Sequence, residues 1–113
     1  MADFNILILR GYSTPINLTF GGSGDATVKT IVPGKKFIVF YLHLEASATV
    51  DLIFKSQATD MTGVIAITAS QVYDFEAGGM PLLKATATGD DFIINASAAC
   101  DVDGWAYMAE IDQ

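Results

Sequence analysis

The side chains able to do chemistry are few and widely spaced. His43 is the only histidine, set in an apolar run where an extended chain puts it on the face of Tyr41 and Glu45. A general base needs a nucleophile within hydrogen-bond reach and a third group to orient its ring. Serines, threonines and aspartates are plentiful, but no spacing singles out a triad, so His43 reads as a surface or interface residue. Cys100 is the only cysteine. Reactive thiols sit in electropositive settings, whereas Ala99 and Asp101 flank this one, and the expectation is an inert buried thiol. Asp101-Val102-Asp103-Gly104 and Asp90-Asp91 offer carboxylates to calcium. The frame of an EF-hand is missing, since no helices flank them and no bidentate glutamate follows at the twelfth position. These acids read first as turn formers and solubilisers at strand ends, with a non-EF calcium site joining the two turns as the alternative. Gly21-Gly22-Ser23-Gly24-Asp25 lacks the Lys-Ser/Thr and the helix of a phosphate cradle. Lys35 and Lys36 form a small basic spot that reads as solvated turn residues. Tyr12, Tyr73, Trp105 and Tyr107 would stack on a sugar ring if exposed, though Trp105 at the start of a strand reads first as a core anchor. The sequence assigns no catalytic residue, no metal ligand and no cofactor.

The elements that must position these groups are strands. Phe37 to Ser56 holds two runs rich in β-branched and aromatic residues, separated by small polar ones, and reads as a central β-hairpin. In its second run Ala48, Val50, Leu52 and Phe54 share one face. Thr49, Asp51 and Lys55 point the other way with Ile53, as in a half-buried strand. The first run is apolar on both faces, with Ile38, Phe40, Leu42 and Leu44 on one side and Phe37, Val39, Tyr41 and His43 on the other. Such a strand must be covered twice, and the second of these faces is the expected subunit interface.

Before this hairpin, Phe4 to Leu9 reads as a short strand or an extended arm, broken by a turn at Gly11 to Pro15. Ile16 to Phe20 is a second short strand, and the glycine-rich stretch 21 to 25 a loop or hinge. The expected division is an arm over 1–25 and a sandwich domain over 26–113, with Phe4, Ile6, Ile8 and Tyr12 as partner contacts. Ala26 to Val32 is a strand, and Pro33-Gly34 carries the signature of a type II turn. Beyond the hairpin, strands are expected over 63–68, 71–76, 82–87, 92–98 and 105–111, with a turn or bulge at Asp103-Gly104. In the third of these stretches and near Ala96 to Ala99, alanines allow close approach of sheets or subunits. About nine strands at regular spacing, with no sustained helical period, make an all-β, single-domain antiparallel β-sandwich or barrel.

The totals bound the partners. The chain has 113 residues, 51% hydrophobic and only 17% charged, and its mean hydropathy is +0.40. So little charge on a small protein points to surface buried against other subunits. A net charge of −7 with six Lys and Arg argues against nucleic acid, whose phosphates need cations, and against anionic membranes. No apolar run approaches the roughly 18 residues of a transmembrane helix. The first ten residues carry no basic region ahead of their apolar run, which argues against a secretory signal. A lone cysteine fits a reducing cytoplasm.

Two stretches carry a resemblance. Gly34-Lys-Lys-Phe-Ile-Val-Phe-Tyr-Leu, followed by Ala-Ser-Ala-Thr-Val-Asp-Leu-Ile-Phe-Lys-Ser at 46–56, is similar to a pattern in small virion proteins of tailed bacteriophages. So is Thr-Gly-Asp-Asp-Phe-Ile-Ile-Asn-Ala-Ser-Ala-Ala at 88–99, closing on Asp103-Gly104-Trp105-Ala106-Tyr107. The resemblance spans residues 26 to 111 and includes no catalytic signature. It implies a jelly-roll-like sandwich, a homotrimer, and a capsid decoration (cement) protein that binds the major capsid protein on the virion surface. Its alternative is a tail, fibre or baseplate module that recognises host glycans through Trp105 or the tyrosines, with acids from 101–103.

Overall fold

The computed structural model describes residues 10–112, and they form ten strands. These are β1 (Tyr12–Phe20), β2 (Gly24–Lys29), β3 (Lys35–Ala46), β4 (Val50–Ser56), β5 (Thr59–Asp60), β6 (Ile65–Ile67), β7 (Tyr73–Glu76), β8 (Leu83–Lys84), β9 (Phe92–Ala96) and β10 (Cys100–Asp112). They divide between two antiparallel sheets. The first runs β1-β10-β3, with β7 and β8 both on the far edge of β3; the second runs β2-β9-β4, with β5 and β6 both on β4. The chain passes from sheet to sheet at β1–β2, β2–β3, β3–β4, β6–β7, β8–β9 and β9–β10, and β10 lies beside β1. That is the jelly-roll arrangement of a β-sandwich.

The space between the sheets is filled by alternate residues of each strand. Phe37, Phe54 and Phe92 are buried there, with ring centroids 5.3 Å apart for Phe37–Phe92 and 6.3 Å for Phe54–Phe92. Each such ring contributes roughly 1.5–3 kcal/mol by leaving water. The hydroxyl of fully buried Ser56 is satisfied: its Oγ donates to Asp90 Oδ2 at 2.7 Å and accepts from the Thr86 amide at 2.9 Å.

Three expectations are corrected. The stretch 37–56 is not a hairpin, because β3 and β4 lie in different sheets. Ser47 fastens the link between them, its amide donating to the Asp101 carbonyl and its Oγ accepting from the Asp101 amide. Small polar residues suit a crossing between sheets as well as a tight turn, so composition alone does not separate the two.

The faces of β3 also differ from simple alternation. Tyr107 pairs with Tyr41 but Met108 pairs with Val39, so Phe40 is an extra residue, a β-bulge. A bulge reverses which face the following residues take. Phe37, Val39, Leu42, Leu44 and Ala46 belong to the main core. Ile38 and Phe40 form a separate cluster with Ala109 on the other side of the sheet, buried beneath Tyr107 and Ile111. Phe37 and Val39, expected at a subunit interface, are therefore interior and 0% exposed. Tyr41 and His43 stay on the outer face.

From Tyr12 onward, strand takes the place of the turn expected over Gly11–Pro15. β1 pairs with β10 from Tyr12 to Phe20, and Ile16 and Phe20 enter the core. Pro15 is tolerated because β1 is an edge strand. The part of the proposed arm over 12–20 thus belongs to the sandwich, whereas Phe4, Ile6 and Ile8 lie outside the described residues. The Pro33-Gly34 turn forms as expected, closed by the Lys35 amide on the Val32 carbonyl with Gly34 at φ 88°.

Candidate functional site

The outer face of the first sheet gathers the aromatic and titratable groups. Asp103-Gly104 is neither a turn nor a bulge but the middle of β10, in unbroken register with both neighbouring strands. A Cβ on Gly104 would stand 1.8 Å from the His43 carbonyl oxygen, so glycine there lets β10 press against β3. Trp105, one residue on, then faces outward and pairs in register with His43. Its ring lies 4.0 Å from the imidazole and 5.6 Å from the Tyr41 ring, edge to face with both. Tyr107 follows on the same face, 6.5 Å from Phe40. Trp105 is half-buried and is part of a surface, not an anchor of the core.

Strand β7 supplies the acids. Tyr73 and Phe75 point into the sandwich, so alternation turns Asp74 and Glu76 outward, where they pair in register with His43 and Tyr41. Asp74 Oδ1 accepts the Tyr41 hydroxyl and meets His43 Nδ1, each at 2.6 Å. The Tyr41 hydrogen bond first, and His43 second, hold the Asp74 carboxyl below its ordinary range. The same bond raises the Tyr41 hydroxyl. Asp74 thereby locks two rings of the surface in place and makes the imidazole a donor at Nδ1. Cys100, the other candidate for nucleophilic chemistry, points into the core on the opposite side of the sheet. Burial, then Asp101, push its thiol up.

Beside this locked group is a groove of about 400 Å³. Phe40, Tyr41, Trp105 and Tyr107 form its aromatic walls, and Glu76 and Ser13 its polar margin. Gly78 and Gly79, at φ 62° and 88°, carry the chain past its rim without side chains.

The other predicted groups do not join this site. Tyr12 faces inward, packed on the core, and its hydroxyl donates to Glu110. Desolvation and that acceptor raise it well above the usual tyrosine range. The Tyr73 hydroxyl donates to Gln71 and accepts from the Thr68 amide. Asp90 and Asp91 hold turns, the latter accepting from the Ile31 amide at 2.9 Å. Asp101 and Asp103 lie within β10, opposite Thr19 and Asn17 of β1, not in a turn facing Asp90. Among the described residues no cluster of three metal-ligating side chains occurs. Lys35 pairs with Asp112 at 2.8 Å. Phe40, Asp74, Glu76 and the two glycines were not singled out by sequence. The outward alternation of Asp74 and Glu76 was legible, but not the strand beside which they would lie.

Comparison with known protein families, with curated proteins and with solved structures finds no match.

Proposed function

We propose that this chain is a structural virion protein, a capsid decoration protein of a tailed bacteriophage that docks on the major capsid protein through the outer face of its first sheet. The observation that carries the reading is the half-buried aromatic surface of Tyr41, Trp105 and Tyr107, backed by the buried apolar cluster of Ile38, Phe40 and Ala109. Aromatic residues in a rigid, partly desolvated patch are the typical anchors of protein interfaces. The resemblance over 26–111 and the jelly-roll arrangement agree with it. The contribution is mechanical: a cement that binds only the assembled shell stabilises it by mass action, and trimeric binding multiplies weak contacts.

The test is to mix purified protein with expanded heads that lack it, then to sediment and melt the particles. Saturable binding in multiples of three with a raised melting point is expected. Trp105→Ala should lower head affinity by about 2 kcal/mol, a factor near 30, while leaving the fold intact. No binding to heads would overturn the reading. If the free protein then binds glycans through Trp105, a tail or fibre module takes its place.

A further inference from the structure

The groove on this face has a chemistry of its own. Among the described residues its walls are four aromatic rings, its one charged lining group is the exposed carboxylate of Glu76, and no lysine or arginine lines it. Aromatic faces are negative at their centres and attract cations. An anionic ligand would meet both these faces and Glu76. A purely apolar side chain would leave the carboxylate without a partner once water is excluded. A sugar needs several directed donors and acceptors, yet the Tyr41 hydroxyl already donates to Asp74.

We infer that the groove receives an arginine side chain from the protein surface it covers. The guanidinium is planar, stacks on aromatic rings and presents a fork of donors that matches a carboxylate. It would lie against the Trp105 and Tyr41 rings and donate to Glu76. Asp74, spent on Tyr41 and His43, holds the aromatic wall in place. The net charge of −7 favours a basic partner in the same sense. This inference deepens the docking reading and rests on it: the partner is a protein, and it brings an exposed arginine.

Trp105 is the only tryptophan, so fluorescence excited selectively in tryptophan, beyond the tyrosine absorption band, reports on this groove. The folded protein is titrated at low salt with a Gly-Arg-Gly peptide, with the same peptide carrying citrulline, and with a panel of methyl glycosides. A saturable change with arginine, absent with the isosteric neutral citrulline, is expected. Glu76→Gln should weaken the arginine response roughly three- to fivefold, and added salt should weaken it in the wild type. Equal responses to arginine and citrulline, or none to arginine, would overturn the inference, as would a response to glycosides alone. Head binding separates the two levels. Wild-type protein that binds heads but ignores the arginine peptide loses this inference and keeps the docking face. Protein that takes the arginine peptide but leaves heads unbound keeps the groove and loses the virion assignment.

Discussion

The two outer faces of the sandwich solve the same problem in opposite ways. On the second sheet, Lys55 reaches Asp25 at 3.1 and 3.3 Å, and Asn95 donates to Asp25 at 2.8 Å. These side chains, from three adjacent strands, satisfy one another across an otherwise ordinary wet surface. On the first sheet, polar bonding serves a different end. Asp74 uses its carboxylate to hold Tyr41 and His43, and the rings so fixed make an aromatic surface beside an apolar cluster. One face closes its own interactions and the other is organised to present rings. Within β3 a single residue decides which side chains reach that aromatic face, because the bulge at Phe40 carries Tyr41 and His43 outward while Leu42 and Leu44 remain in the core.

The most severe way to break this contrast is at Gly104. Any side chain there collides with the β3 backbone at His43, which must part the two central strands of the first sheet. Gly104→Ala should cost at least about 4 kcal/mol, in the range of changes that defeat a fold of this size. Urea denaturation followed by Trp105 fluorescence measures it, and a loss below 1 kcal/mol would mean that β3 and β10 do not approach this closely.

The bulge is tested inside one strand. Val39 and Tyr41 are two residues apart and would share a face in a regular strand. In the structure Val39 is fully buried, so Val39→Ser leaves a cavity and an unsatisfied hydroxyl, costing about 2–4 kcal/mol. Tyr41→Ser removes a half-buried ring from the outer face and should cost about 1 kcal/mol or less. Similar losses at the two positions would restore simple alternation and remove the bulge.

This pair also marks where sequence reading succeeds and where it stops. The strand content, the core residues of β4, the type II turn and the buried thiol all follow from local patterns, since alternation and turn chemistry act within a few residues. The face of Tyr41 and His43 was legible as well. The interior position of Phe37 and Val39 was not, because a strand apolar on both sides carries no sign of where its phase reverses. Likewise the link after Ala46 has the composition of a turn, and only pairing partners far along the chain decide that it crosses between sheets. Asp74 meets His43 for the same reason, through a strand pairing that no spacing encodes.

Acid separates the faces more gently. Asp25 is held below its ordinary range by Asn95 first and Lys55 after it, and Asp74 by Tyr41 and then His43. A carboxylate lowered in the folded state contributes stability that is complete above its unfolded value near 4 and disappears as pH falls through the folded one. Both groups therefore leave stability level above about pH 5 and add to its decline below about pH 4. Asp25→Asn should flatten part of that decline and lower stability at neutral pH by no more than about 0.5 kcal/mol, given the exposure and screening of its pair with Lys55. Head binding should not change. Asp74→Asn should flatten the acid limb too, but it also releases Tyr41 and His43, so docking and the arginine response should weaken with it. Equal effects of the two variants on binding would show that ring positioning by Asp74 is not what distinguishes the aromatic face from the charge-paired one.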